Sequence, residues 1–480
     1  MFKSASFVVL VALVLTCGCK TEEKEQSKMA NGQNFSAGEL IQRTVERRAV
    51  EAAIWGMPLV NVDAMRQAYF RAGAKYNDVI FWSNPNTWMN QTTTPNHSTS
   101  YVMFFLNLKD GPIVVDIPAA TEQALYGTLI TAWNEPLINV GNTGDDKGKG
   151  AKYVLLPPGY KDKPPAGYVP VQSSTFNAYS LLRIIIKTQG AEDVKKGIAY
   201  LYTLKVYPLA SAKSSTPIQF IDVASKPFEA VPVYDASFYN SLARMVSEED
   251  VQDRDLAVMG QLYSLNIGKG LTFDPDAATK QTLERAVDEA HQWMMEGYAT
   301  NGTPIWPIQG RTWRFLLEIP LAEGTRVTFL EPGKDLRVDV RSYAWFAMFG
   351  PVVPPPPQLY IKTYETDKHE RLNGSNTYHL RVPANVPTSQ FWAVDVYDAA
   401  TGAFFRESPV VGLDSYKENL KKNADGTVDV YFAAKPLSGE ESNTVFTREG
   451  KPYFVMFRIY GPQKAAVDGS WILNNIEKVN

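Results

Sequence analysis

From Val79 onward the chain reads as short apolar runs broken by Asn, Gly, Asp and Pro: VIFW (79–82), YVMFFLNL (101–108), PIVVDI (112–117), YGTLITAW (126–133), KYVLLPP (152–158) and SLLRIIIKT (180–188). Runs of this length and spacing predict the strands of an all-β sandwich. Upstream the period changes. Leu40, Ile41, Val45, Ala49, Ala52 and Ala53 recur at three- and four-residue steps with Glu and Arg opposite, which predicts an amphipathic helix ended by Gly56 and Pro58. Residues 235–299 read helical again, with Pro275 in a first-turn position and Gly297 near the close of the last helix. Strand patterns return from about residue 325, in TYHLRVP (377–383), FWAVDVYD (391–398), TVDVYF (427–432) and YFVMFRIYGP (453–462). Two stretches stand apart. VVPPPPQLY (352–360) predicts a stiff polyproline excursion, and GNTGDDKGKG (141–150) a mobile rim loop. The expected fold class is mainly β with α: two β-sandwich or jelly-roll domains, 38–232 and 325–480, joined by a helical segment, 233–324.

The N-terminus adds a targeting signal. Lys3 precedes an apolar stretch from Phe7 to Leu15, and Gly18 stands before Cys19, which predicts a lipoprotein signal peptide over 1–19 with lipidation at Cys19. An ordinary secretory signal is the alternative. The charged segment 20–37 then reads as a flexible tether, and the chain is expected at the bacterial cell envelope, anchored by lipid on the outer membrane. Both cysteines lie inside the signal, so disulfides, zinc thiolates and Cys nucleophiles fall outside the expected chemistry. A net charge of −3 gives no field to hold a polyanion, which excludes nucleic acid as an expected partner. Aromatic residues make up 12% of the chain, a share that favours aromatic-lined pockets.

Eight short motifs in order resemble a pair of bacterial envelope domains known as domains of unknown function 1254 and 1214. The first is suggested by WGMPL (55–59), TPNHSTSY (94–101), DGPIVVDIP (110–118) and GTLITAWNEP (127–136). LNGSNTYHLRVP (372–383), FWAVDVYD (391–398), DGTVDVYF (425–432) and MFRIYGP (456–462) suggest the second. The resemblance spans about residues 40–475 and implies two β-sandwich domains joined by helices. This chain departs from the family pattern at Ser98, where an Asp is common, and at SNTVFT (442–447), where an Asn-Trp is common.

Candidate chemistry centres on the stretch before the second strand. Asn96, His97, Ser98, Thr99 and Ser100 are five adjacent polar residues in a loop at a strand end, where sandwich proteins place ligand contacts. A neutral-range pKa suits His to general-base work. No phosphate loop or Gly-x-Ser-x-Gly elbow is present, and no two histidines are spaced as metal ligands. No cofactor is therefore expected, although His369 and Glu370 beside Asp367 leave a divalent ion open.

The leading expectation is a lyase or dehydratase acting on uronic-acid oligosaccharides. Such an elimination needs a base, a cation on the carboxylate and an acid for the leaving oxygen. His97 or Tyr101 is the candidate base, Arg183 or Arg381 the clamp, and Tyr364 or His369 the acid. Asn96, Thr99, Trp133, Asn134 and His379 are the further candidate substrate contacts. Alternation puts His379 and Arg381 on one strand face. His291, with Glu284 and Asp288 on its helix, reads as a solvated surface rather than an acid–base cluster. The expected partners are an oligosaccharide, a membrane contacted through the lipid alone, and a second copy of the chain. The rival expectation is a non-catalytic protein of the same shape that binds a ligand or partner.

Overall fold

The computed structural model describes residues 35–185, 190–214, 217–306, 308–317, 329–331, 335–351 and 358–479. The expected signal peptide with Cys19, most of the expected tether and residues 352–357 lie outside the described residues; 358–360, expected to continue the polyproline excursion, open the strand Gln358–Thr363 instead. The chain forms two compact units, Met1–Thr44 and Val45–Asn480. In the first, Ser36 starts a helix through a capping box. Its N–H and hydroxyl each donate to Glu39 Oε2 at 2.7 Å, and the Glu39 N–H returns to Ser36 Oγ at 3.3 Å.

That helix is Ala37–Arg71, and it runs straight through the residues expected to end it. Trp55, Met57, Leu59 and Val60 are at most 2% exposed, and burial on all sides outweighs a helix penalty for Pro58 of about 3 kcal/mol. Gly56 is there for packing: a Cβ on it would lie 2.5 Å from Leu242 Cδ1. Gly297 is likewise no stop. It lies within the helix Ala277–Thr300, where a Cβ would meet the Tyr343 ring at 1.9 Å. Pro275 stands outside that helix, one residue before the N-cap Asp276, whose side chain accepts from Thr279 N–H at 2.8 Å.

The first β-rich part is a sandwich. Its larger sheet runs, edge to edge, Phe220–Asp222, Val79–Phe81, Ser100–Asn107, Asn177–Ile185, Ala124–Thr131, Pro136–Gly141; the smaller runs Lys205–Pro208, Ile113–Ile117, Ala151–Leu156, Val169–Gln172. Strand alternation divides the YVMFFL run between two cores. Val102, Phe104 and Leu106 face the smaller sheet, while Tyr101, Met103 and Phe105 pack with Trp55, Met65 and Tyr69 of the long helix. The 141–150 loop is tied by Asp146, whose carboxylate accepts from Gly141 N–H at 2.6 Å, Gly150 N–H at 3.1 Å and Tyr153 O–H at 2.8 Å.

The second part repeats this plan. A five-stranded antiparallel sheet runs Arg314–Phe315, Gln358–Thr363, Tyr453–Tyr460, Trp392–Asp398, Gly412–Asp414, and packs on a four-stranded sheet, Thr444–Phe446, Val428–Ala433, Tyr378–Val382, Glu477–Lys478. Val394, Val396, Phe457 and Ile459 face the inner core; Tyr397, Phe454 and Met456 face outward into the same core as the long helix. Both larger sheets therefore turn their outer faces to one shared seam.

The helices Phe238–Glu248, Leu256–Tyr263, Ala277–Thr300 and Val338–Ala347 belong to this shared layer. His291 is not a solvated residue. Its ring stacks on Tyr234 with centroids 3.8 Å apart, and its Nε2 bonds the Ala400 carbonyl at 2.7 Å, joining the helix to the second sandwich. Glu284 and Asp288 turn to Ala236 N–H and Gln292 instead.

Burial lowers the His291 pKa below 6.5, against the smaller raising effects of the Ala400 carbonyl, Asp288 and Asp398. Because the folded value is the lower one, this contribution to stability is full above pH 6.5 and is lost as pH falls through the folded value. Unfolding midpoints measured from about pH 7.5 to about pH 5 should accordingly drop more steeply for the native chain than for His291→Phe, which keeps the stacking but cannot titrate. Parallel curves would exclude this titration.

Candidate functional site

The loop that carries His97 is pinned across the seam by backbone contacts. Thr94 N–H donates to Gly402 O at 2.7 Å, Tyr397 O–H donates to Pro95 O at 2.6 Å, and Arg458 Nη2 donates to Thr94 O at 3.3 Å. From the other side, Asn86 Nδ2 donates to Asn96 O at 2.7 Å and Thr99 O at 2.9 Å. Asn96 completes the turn by accepting Ser98 N–H on its Oδ1 at 2.8 Å, and its own N–H donates to Tyr101 Oη at 2.9 Å.

This loop delivers the His97 ring onto the outer face of the second larger sheet. There Asp395, fully buried, takes His97 Nδ1 on one oxygen and Arg458 on the other in two short contacts. Sheet register explains the pairing: Ala393 faces Arg458 across the strands, and Asp395 lies two residues on, on the same side. Gly412, the cross-strand partner of Asp395, makes the room, since a Cβ there would sit 2.5 Å from both Asp395 Oδ1 and His97 Nδ1. His97 Nε2 faces Ser98 Oγ at 3.1 Å and Asp414 Oδ2 at 3.4 Å, and Ser98 O–H reaches Asp414 Oδ2 at 3.1 Å.

The arrangement fixes the tautomer. A carboxylate shared with a guanidinium can only accept, so Nδ1 donates its proton to Asp395, and Nε2 is the nitrogen turned toward Ser98 Oγ and Asp414. With 13% of its side chain exposed, His97 is still reachable from solvent. Burial pushes the Asp414 carboxyl up, but the hydrogen bond and charge of His97, with the Tyr416 N–H and Ser98 hydroxyl, outweigh it and hold Asp414 below the ordinary carboxylate value. Asp414 thus stays negative beside the nitrogen that would take up a proton.

A second row of polar groups lies on the facing sheet. Tyr101, Arg183 and Tyr126 are cross-strand partners in consecutive strands, and the guanidinium lies 5.5 Å from the Tyr101 ring centroid and 5.9 Å from that of Tyr126. Across the seam stand Tyr360 and Tyr460, whose hydroxyls are 3.5 Å apart; Tyr460 bonds Asn96 Nδ2, and Arg458 lies 4.8 Å over the Tyr360 ring. Burial pushes the Tyr126 phenol up to about 12 against the lowering charge of Arg183.

Among the residues singled out from sequence, His97, Asn96, Thr99, Tyr101 and Arg183 come together here. Thr99 does so through its backbone, while its hydroxyl is buried without a partner. The others stand elsewhere. Asn134 is fully buried beneath the long helix, donating to Pro58 O at 3.2 Å and accepting Tyr179 O–H, and Trp133 packs edge-on against Trp55 at 5.0 Å. His379 and Arg381 do share a strand face, but the carboxylates they hold are the protein's own: His379 Nε2 to Asp429 at 2.8 Å and Arg381 to Asp425 at 2.9 Å. Arg381 is thereby occupied and is no free clamp. Tyr364 is buried against Phe454 at 4.7 Å, and exposed His369 pairs with Glu365 at 3.1 Å rather than with Asp367 or Glu370. Among the described residues, no three His, Cys, Asp or Glu side chains group as a metal site.

Sequence reasoning missed Asp395, Asp414, Gly412, Arg458, Tyr126, Tyr360 and Tyr460. One signal was present. Asp395 in WAVDVY and Arg458 in VMFRIY are single charges inside strands otherwise apolar on both faces, and such a charge needs a partner.

Residues 76–208 match the family described as Protein of unknown function (DUF1254), and residues 357–464 match Protein of unknown function (DUF1214). His97 and Arg183 fall in the first stretch; Asp395, Asp414 and Arg458 fall in the second. Among solved structures, the VPA0106 protein from Vibrio parahaemolyticus is 16% identical with a TM-score of 0.52, over 91% of this chain and 100% of that one, a likeness of fold. An uncharacterized protein from Burkholderia cenocepacia is 13% identical with a TM-score of 0.41, over 91% of this chain and 95% of that one. No curated protein matches the chain.

Gly412→Ala should push His97 off Asp395. In proton NMR the far-downfield Nδ1–H resonance expected of the bonded imidazole should be present in the native chain and absent in Gly412→Ala and Asp395→Asn. If the resonance persists in Gly412→Ala, the contact does not depend on that missing side chain.

Proposed function

We propose that this chain, which belongs to the proteins joining a DUF1254 domain to a DUF1214 domain, is an envelope lipoprotein that acts on uronic-acid oligosaccharides by cofactor-free elimination, with His97 as the base. One observation carries the reading. Asp395, itself held by Arg458, accepts the His97 Nδ1–H and so orients the ring, turning Nε2 toward Asp414 in a seam that solvent reaches, where the proposal makes it the proton acceptor.

In the proposed step the C–H bond beside the sugar carboxylate breaks and its proton passes to Nε2. The electron pair forms a C=C bond to the adjacent carbon as the bond between that carbon and the leaving oxygen breaks. That oxygen takes a proton from a seam phenol, Tyr126 foremost, because burial keeps Tyr126 protonated well past neutral pH. The imidazolium that results would lie between Asp395 and Asp414, two negative groups already in position. Arg183 supports the reading as a cation of this seam with no carboxylate partner among the described residues, whereas Arg381 stands elsewhere and is paired with Asp425. Anchoring through Cys19 and a place on the outer membrane form part of the proposal and rest on the signal sequence.

Purified protein incubated with uronate oligosaccharides should generate the ultraviolet absorbance of an unsaturated uronate, and His97→Ala should slow it on the order of 100- to 10,000-fold. Silence of the native protein across several uronate glycans would favour the non-catalytic binding protein, and an undiminished His97→Ala rate would remove His97 from the mechanism.

A further inference from the structure

We propose that Arg183 and the phenols around it form a subsite for a single monoanionic carboxylate, one that selects against dianions. Arg183 is 7% exposed, its Nε is buried with no hydrogen-bond partner, and no carboxylate pairs with it among the described residues. Two other buried arginines hold a carboxylate, while Arg341, 4.9 Å over the Trp133 ring, has none among the described residues and instead donates to Trp55 O at 2.9 Å. Arg66 holds Asp63 at 2.7 Å and Arg458 holds Asp395. A desolvated cation without a counter-charge is costly, and the π-faces of Tyr101 and Tyr126 offset only part of that cost. A bound anion would complete it.

The surroundings define which anion fits. Tyr101, Tyr126, Tyr360 and Tyr460 all lie close enough to bias the Arg183 charge, and all four are neutral hydroxyl groups able to donate to an oxygen. Tyr126 and Tyr360 are only partly buried, which is the side from which solvent reaches the group. Arg458, the neighbouring cation, is neutralised by Asp395. The local count is therefore one uncompensated positive charge. A carboxylate cancels it and matches the planar fork of the guanidinium, whereas a phosphate dianion would leave one buried negative charge.

This inference rests on reading the seam as a substrate site, and binding can be measured apart from chemistry. The full chain is titrated by calorimetry, with thermal unfolding in parallel, using D-glucuronate, its neutral methyl ester, glucose 6-sulfate and glucose 6-phosphate. Glucuronate should bind and raise the unfolding midpoint; the ester and the phosphate should bind at least tenfold more weakly. Arg183→Gln should lower glucuronate affinity at least tenfold, and Arg183→Lys, which retains the charge and so the fold, should lower it several-fold. A native chain that binds glucuronate with this profile yet yields no unsaturated product from uronate oligosaccharides would sink the catalytic reading alone and leave the subsite standing. Absence of glucuronate binding, equal binding of the ester or phosphate, or unchanged affinity in both Arg183 variants overturns the subsite. Tighter binding of the 6-sulfate overturns the choice of carboxylate.

Discussion

Asp395 has both carboxylate oxygens occupied, one by Arg458 of its own sheet and one by His97 from the other sandwich. An isolated charge at such a depth would be far too costly to bury, and each of these contacts offsets part of that cost. The consequence is mutual dependence: the sheet needs the loop to complete the coordination of Asp395, and the loop needs Asp395 to fix one histidine tautomer. Removing one member of a buried pair typically costs about 3–5 kcal/mol, enough to set the geometry of the seam.

The rest of the architecture serves that contact. Each sandwich keeps a core of its own between its sheets and turns the second face of its larger sheet toward shared helices and toward the other sandwich. That is why YVMFFL and YFVMFRIY read as nearly continuous apolar runs. Both faces are buried, so the polar half of the usual alternation disappears. The charged residues that remain in such strands, Arg183, Asp395 and Arg458, all surface at the seam. Small residues set the approach distance, with Gly412 under His97 and Gly56 under Leu242.

How far the sequence could be read depended on the range of the determining interaction. Strand positions, the sandwich class and the polar turn at 92–101 were legible because hydrophobic period and turn residues act over a few neighbours. Helix ends failed where tertiary contacts overrode local propensity: Gly56, Pro58 and Gly297 look like stops, yet each answers to a neighbour distant in sequence, Leu242, Asn134 or Tyr343. His291 failed for a related reason. Its carboxylate neighbours on the helix suggested solvent, while Tyr234 and Ala400 cover it from other elements.

By itself the sequence determined the two-sandwich class, the family pair, and a polar loop bearing His97 that suits general-base chemistry. Only the tertiary structure decided what that histidine faces, because Asp395 and Asp414 lie roughly three hundred residues away and no local period encodes a partner at that distance. The same separation decided between two arginines that look alike in sequence. Arg381 meets Asp425 and Asp429 on its own sheet, whereas Arg183 meets aromatic rings and, among the described residues, no carboxylate.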